Sequence, residues 1–176
     1  ANWKKKTRRL HGWYNKNTNR VTASIIRRKL MAITSAICNS FKVEILTATH
    51  NFTASSGNTF NLALYTSSAT INKSTTAYSS TNEISNTSGS AYSAKGKALT
   101  SVTPVLSSDT AVCDFANVSW TSATFTANGC LIFNDSASGD PACCTIAFGG
   151  DKTVTSGTFT IEFPAASAGT AIIGIA

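Results

Sequence analysis

The chain is poor in charge and in long apolar runs. Only 13% of its 176 residues are Asp, Glu, Lys or Arg, against about 25% in an average soluble protein. No run of about 18 consecutive apolar residues occurs, so the sequence predicts no membrane-spanning helix and no membrane partner. The basic start is not followed by an apolar core segment, so we expect no secretory signal.

Acidic residues are absent from the first thirty positions, which hold ten of the fifteen Lys and Arg residues. Residues 31–176 carry five Lys against eight acids. The net charge of +7 therefore divides into +10 on residues 1–30 and −3 on the remainder. Because one short segment holds the basic character, the composition does not indicate a nucleic-acid-binding protein.

Two interpretations fit residues 1–30, and the sequence leaves both open. In the first they form a basic extended arm, too poor in apolar residues to fold alone, which docks by charge attraction on an acidic surface or on nucleic acid. In the second the gene start is placed too far upstream. The stretch before Met31, the chain's single methionine, back-translates readily to a bacterial ribosome-binding site.

If the arm is real, we expect its aromatic and basic side chains to contact a partner. The candidate interaction residues are Trp3, Lys4, Lys5, Lys6, Arg8, Arg9, Trp13, Tyr14, Arg27 and Arg28.

The common signatures of catalysis and cofactor binding are missing. No serine lies within G-x-S-x-G, and no glycine-rich phosphate loop is present. His50 has no Cys or Asp at triad spacing, so we expect a turn or satisfied surface histidine. The sequence therefore predicts no catalytic residue and no cofactor.

Cysteines and acids also favour structural roles over a metal site. The five cysteines contain no CxxC, and we expect small buried apolar side chains in a reducing cytoplasm. They are Cys38, Cys113, Cys130, Cys143 and Cys144. Asp135, Asp140 and Asp151 lack the spacing of an EF-hand, so we expect turn-capping aspartates rather than a calcium site.

From residue 50 onward the pattern is typical of an all-β domain. In NTFNLALYTS and in GTFTIEFP, large apolar residues alternate with polar ones, as in strands with one buried face. Further predicted strands are 98–103, 111–120, 123–127, 129–134, 142–148 and 170–176. Polar turns such as FGGDK and SASGDP separate them. We predict one antiparallel sandwich or jelly-roll-like domain over 31–176.

Three finer predictions accompany this fold. Thr34 and Ser35 precede apolar residues at helical spacing, which predicts a short helix over 34–46. Residues 66–97 are poor in large apolar side chains and long for a connection, so we expect an excursion with a partner of its own. The predicted core is Phe60, Leu62, Leu64, Phe115, Trp120, Phe125, Leu131, Phe133, Ile146, Phe148, Phe159, Ile161 and Phe163.

Residues 31–176 resemble a family of small virion proteins of tailed phages. The resemblance rests on MAITSAICNSFKVEIL, on LALYTSSAT followed by STTAYSSTNEIS, on FANVSWTSATFTANGCLIFN, on AFGGDKTVTSGTFTIEFP and on the final AIIGIA. Residues 1–30 have no counterpart in it, and Cys143 and Cys144 stand where aliphatic residues are expected. These motifs are structural, so the resemblance implies a fold and a virion setting rather than a reaction.

The function expected from this resemblance is non-enzymatic. The first hypothesis is a head decoration (cement) protein that clamps subunits of the major capsid protein and forms a trimer or dimer. The alternative is a tail component: a fibre, an adaptor or a receptor-binding tip that contacts other tail proteins. A polysaccharide-degrading tail enzyme is disfavoured because Glu44, Glu83 and Glu162 are scattered, whereas glycosidases pair two carboxylates about 5–10 Å apart.

Overall fold

The computed structural model describes residues 32–85 and 89–176. This part of the chain is mostly antiparallel β-structure with one short helix, which confirms the all-β prediction. The elements are β1 Ala36–Ile37, α1 Asn39–Leu46, β2 Phe60–Tyr65, β3 Lys97–Ala98, β4 Ser101–Ser107, β5 Thr110–Phe115, β6 Val118–Asn134, β7 Ala142–Ile161 and β8 Ile173–Ile175.

The strands form two sheets. The larger has the order β1-β7-β6-β2-β3, and the smaller has the order β4-β5-β8. Every pairing between these strands is antiparallel. Phe60 of the larger sheet contacts Phe115 of the smaller one with ring centroids 5.8 Å apart, so apolar side chains of both sheets share one core.

The predicted core is confirmed. Eight of its thirteen members are buried, and the other five are partly buried and pack against them. Burying each large aliphatic side chain contributes about 1.5–3 kcal/mol. The alternation in NTFNLALYTS places Phe60, Leu62 and Leu64 in this core, as the pattern predicts. The expected solvent-facing side of this strand was wrong, because Ala63 is fully buried as well.

The helix prediction was wrong at its start. Helix α1 begins at Asn39, not at 34, and its N-cap Cys38 makes no side-chain capping bond. Ala36 and Ile37 instead pair with Thr145 and Cys144 of β7. Pairing with β7 gives the backbone groups of Ala36 and Ile37 hydrogen-bond partners. In the first turn of a longer helix, their N–H groups would have no partner within the helix.

Four predicted strand boundaries were also wrong. The predicted strand 98–103 divides between the end of β3 and the start of β4. The predicted strands 123–127 and 129–134 belong to one strand, β6, while the predicted strand 111–120 divides between β5 and β6. The predicted turn FGGDK lies inside β7, where the register shifts between the pairs Ala127–Lys152 and Gly129–Ala147. Gly149 and Gly150 adopt φ of 73° and 147° there, and glycine accommodates these values without steric cost.

The described part of 66–97 folds back on the domain and is not a free excursion. Ile71, Ile84 and Tyr92 are buried in the core. Isolated bridges join Tyr65 to Glu83 and Ala77 to Pro141. Although this segment has few large apolar residues, the burial of these three side chains anchors it to the domain.

Candidate functional site

His50 is buried, so the prediction of a surface histidine was wrong, although the side chain is hydrogen-bonded as expected. Its Nε2 lies 2.8 Å from Glu44 Oε2 and its Nδ1 lies 3.1 Å from Asn134 Nδ2. Since the Asn134 amide donates to Nδ1, the proton of a neutral ring sits on Nε2 and is donated to Glu44. Cys143 Sγ lies 3.9 Å from the same Nδ1.

Cys143, His50 and Glu44 thus follow the order of a nucleophile, a base and an orienting carboxylate. Two features oppose catalysis by this cluster. Burial raises the pKa of the fully buried Cys143 thiol far above its ordinary value, while the thiolate is the reactive form. The His50 nitrogen that would accept the thiol proton already accepts a hydrogen bond from Asn134. The cluster therefore joins α1, β6 and β7 as a structural network.

Glu83 organises a second, partly buried network. Its two carboxylate oxygens accept hydrogen bonds from the hydroxyls of Tyr78 (2.6 Å) and Tyr92 (2.7 Å). The Tyr92 hydroxyl also accepts the Leu64 N–H of β2 at 2.9 Å. Burial and the bond to Glu83 raise the pKa of Tyr78 to about 12. These bonds fasten the segment after β2 to the sheet.

Two of the three predicted turn-capping aspartates instead pair with a lysine. Lys95 Nζ lies 2.7 Å from Asp135 and 2.8 Å from Asp140. Hydrogen bonds to these carboxylates raise the pKa of Lys95. Asp151 accepts a hydrogen bond from Asn128 Nδ2 at 2.7 Å. Across 32–85 and 89–176, no group of three or more His, Cys, Asp or Glu is suited to hold a metal ion.

The five cysteines are buried, as the sequence indicates. The predicted interaction residues of the arm, Trp3 to Arg28, lie outside the described residues. No helix in the described part of the chain is long and apolar enough to cross a membrane.

An apolar groove lies between α1 and β8. Its volume is about 360 Å³. Side chains of β1 and α1 form one wall, and the end of the chain forms the other. The lining residues are Ile37, Phe41, Lys42, Ile45, Leu46, Ile173, Gly174, Ile175 and Ala176. Lys42 is the single charged side chain among them.

Exposed aliphatic side chains lie on α1 and on the small sheet, and two of them, Leu46 and Ile175, line the groove. We call this set the apolar patch: Val43, Leu46, Leu106, Ala111 and Ile175. Leu46 is 85% exposed, Leu106 74%, Val43 62% and Ile175 53%. Leu106 pairs with Ala111, and Ala111 pairs with Ile175, so these three form one row across the small sheet. Val43 and Leu46 are three residues apart and share one helix face. Such a patch indicates an interaction surface.

The two edges of the small sheet differ in protection. Strand β4 contains Pro104, which has no N–H, and its register is irregular between Val102 and Val105. Both features hinder the addition of another strand. Strand β8 is Ile-Gly-Ile, without charge or proline, and within the described chain it pairs only with β5. The unprotected edge thus adjoins the groove.

Sequence reasoning did not identify this surface. The final AIIGIA reads as an ordinary strand, and nothing local in it shows that the strand lies at a sheet edge. Searches of protein-family models, curated proteins and solved structures find no match to the chain.

Proposed function

We propose that the protein is a non-enzymatic structural protein of a tailed-phage virion, made in the bacterial host cytoplasm. We propose further that it is a head decoration protein, which clamps neighbouring subunits of the major capsid protein. The observation that carries the proposal is the exposed apolar patch on a domain whose buried polar clusters are bonded within the chain. Such a surface suits a protein that works by assembly.

The resemblance of residues 31–176 to small tailed-phage virion proteins is the second support. For the finer architecture we propose a β-sandwich, in which the five-stranded and three-stranded sheets pack face to face. The contact between Phe60 and Phe115, with centroids 5.8 Å apart, supports this arrangement.

Clamping follows from mass action. A protein that binds the assembled shell but not its free subunits stabilises the shell against internal DNA pressure. At a concentration 100 times the dissociation constant, each bound site adds about 2.7 kcal/mol. Clamping requires no covalent chemistry, which is consistent with the buried and protonated thiol of Cys143.

One observation favours the tail alternative. A hollow of about 290 Å³ is lined by hydroxyl and amide side chains including Thr75, Ser79, Thr81 and Asn82. Hydroxyl-rich hollows suit polar ligands such as glycans. Tyr65, the aromatic residue in this lining, is only 1% exposed, so it offers no ring face for a sugar to stack on. The head assignment is therefore the first proposal.

Locating the protein in a reconstruction of purified particles tests the proposal. A head protein is expected on the order of hundreds of copies per particle, following capsid symmetry, whereas a tail component is present in a small number. Density at the tail favours the alternative, and absence from purified particles contradicts both. Intact-mass measurement of the particle protein shows separately whether residues 1–30 are made, since the whole chain is 18.4 kDa.

A further inference from the structure

We propose that the groove and the free edge of β8 bind a second copy of this chain, with two β8 strands pairing antiparallel about a two-fold axis near Gly174. The two three-stranded sheets then form one continuous six-stranded sheet. Ile175 of each copy enters the groove of the other. This inference deepens the proposed function by naming the surface through which the protein self-associates.

The free strand edge and the apolar lining of the groove determine which partner can bind there. A strand that pairs with β8 must supply its own free edge, and its side chains must be uncharged and apolar to fill the groove. Lys42 is the single charged side chain of the lining. A second β8, with the sequence Ile-Gly-Ile, meets both requirements. Antiparallel pairing of identical strands also produces a closed two-fold contact that does not propagate into a fibre.

The exposed apolar area is a substantial part of what a standard interface buries. The exposed fractions of Val43, Leu46, Leu106 and Ile175 together equal between two and three whole aliphatic side chains. At roughly 60–120 Å² of apolar area each, they supply about 160–330 Å² per copy. A standard interface buries about 800 Å² per partner, of which about 57% is apolar. The patch thus provides a third or more of the apolar area, and the groove lining adds to it.

Gly174 offers a direct test of the geometry. A Cβ built there meets only the Thr110 side-chain methyl at 3.3 Å, so the domain tolerates Gly174→Cys with a small shift of that methyl. Two copies of residue 174 beside a two-fold axis come within disulfide range, since Cα atoms of paired antiparallel residues lie about 4.5–5.5 Å apart. The five native cysteines are buried, so they do not compete in the folded protein.

The first experiment is analytical ultracentrifugation of the purified full chain in a reducing buffer at about 0.5 M salt, where exposed charge pairs are screened. We expect a concentration-dependent monomer–dimer equilibrium. Leu46→Glu and Ile175→Lys should each weaken it at least tenfold. Val105→Lys is the matched control, because Val105 is 52% exposed and lies on the protected edge strand β4. Circular dichroism shows that each variant remains folded.

The second experiment is oxidative cross-linking of Gly174→Cys, with Val105→Cys as its control. A covalent dimer in the first variant only supports the proposal. A wild-type monomer at all concentrations, equal weakening by Val105→Lys, or a trimer insensitive to the patch substitutions would overturn it. Because both experiments use purified protein, their failure is distinguishable from failure of the virion assignment, which the particle reconstruction tests.

Discussion

Raising the pH from about 8 to about 9.5 is expected to destabilise the fold, because all five cysteines are buried thiols. Burial raises the pKa of Cys38 to about 11, and that of Cys113 and of Cys144 to about 12. Burial also raises the pKa of Cys130 and of Cys143, whose side chains are both fully buried. The thiols therefore stay protonated in the folded state throughout this range.

The size of the effect follows from proton linkage. An unfolded thiol titrates near its ordinary pKa of about 8.5, below the value in the folded state. The stabilisation is therefore complete below that pH and is lost as the pH rises towards the folded pKa. From pH 8 to pH 9.5, ionisation in the unfolded state lowers the free energy of unfolding by about 1.3 kcal/mol per thiol, or about 6 kcal/mol for five. Tyrosine ionisation adds less than about 1 kcal/mol.

Urea unfolding followed by circular dichroism, in the presence of a phosphine reductant, measures this loss at the two pH values. Cys113→Ala provides the control for the mechanism. This substitution removes one of the five titrating thiols. It should therefore reduce the loss of unfolding free energy between the two pH values by about a fifth, independently of its effect on stability at the lower pH. A loss below about 1 kcal/mol in the wild type would refute the argument, because the thiols would then ionise within the folded protein.

Two further substitution pairs test single contacts by urea unfolding. Tyr92→Phe should lower the free energy of unfolding by about 2 kcal/mol, since it leaves the buried Leu64 N–H without its acceptor. Tyr78→Phe frees groups that are only half-buried, the Glu83 carboxylate and the Lys95 backbone, and should cost less than about half as much; equal losses contradict this account. Gly96→Ala drives a Cβ into a β2 carbonyl and should cost more than about 3 kcal/mol. Gly139→Ala, also at positive φ but with open space around it, should cost about 1 kcal/mol, and a similar cost at both positions would exclude the steric clash as the cause.

The core was predictable because it depends on local alternation. Leu62 and Leu64 face the same side of β2 whatever the strand pairs with, so period-two spacing identifies them. The ends of the elements were not predictable in this way. Ile37 fits helical spacing with Phe41, but pairing with Cys144, more than a hundred residues away, places it in a strand. Such a competition is decided by tertiary contacts.

The functional surfaces were less predictable than the core. Glu44, His50, Asn134 and Cys143 are separated by up to about a hundred positions, so no spacing rule connects them. The groove depends on which strand lies at the edge of the small sheet, and that is a property of topology. Pro104 in β4 was the one local signal, since proline favours edge strands and thereby marks that edge as protected.

The charge pattern also constrains what residues 1–30 do if they are part of the mature protein. Six of the eight acids already hold a hydrogen-bond or ion-pair partner within the described chain: Glu44, Glu83, Asp114, Asp135, Asp140 and Asp151. The ten positive charges of residues 1–30 therefore outnumber the two remaining acids, Asp109 and Glu162, by five to one. Since like charges gathered on one short segment repel each other unless they are neutralised, the arm is expected to find its counter-charges on another molecule. An acidic surface of a partner would provide them, and that contact would weaken as salt rises, whereas contacts in the mostly apolar groove beside β8 would weaken much less.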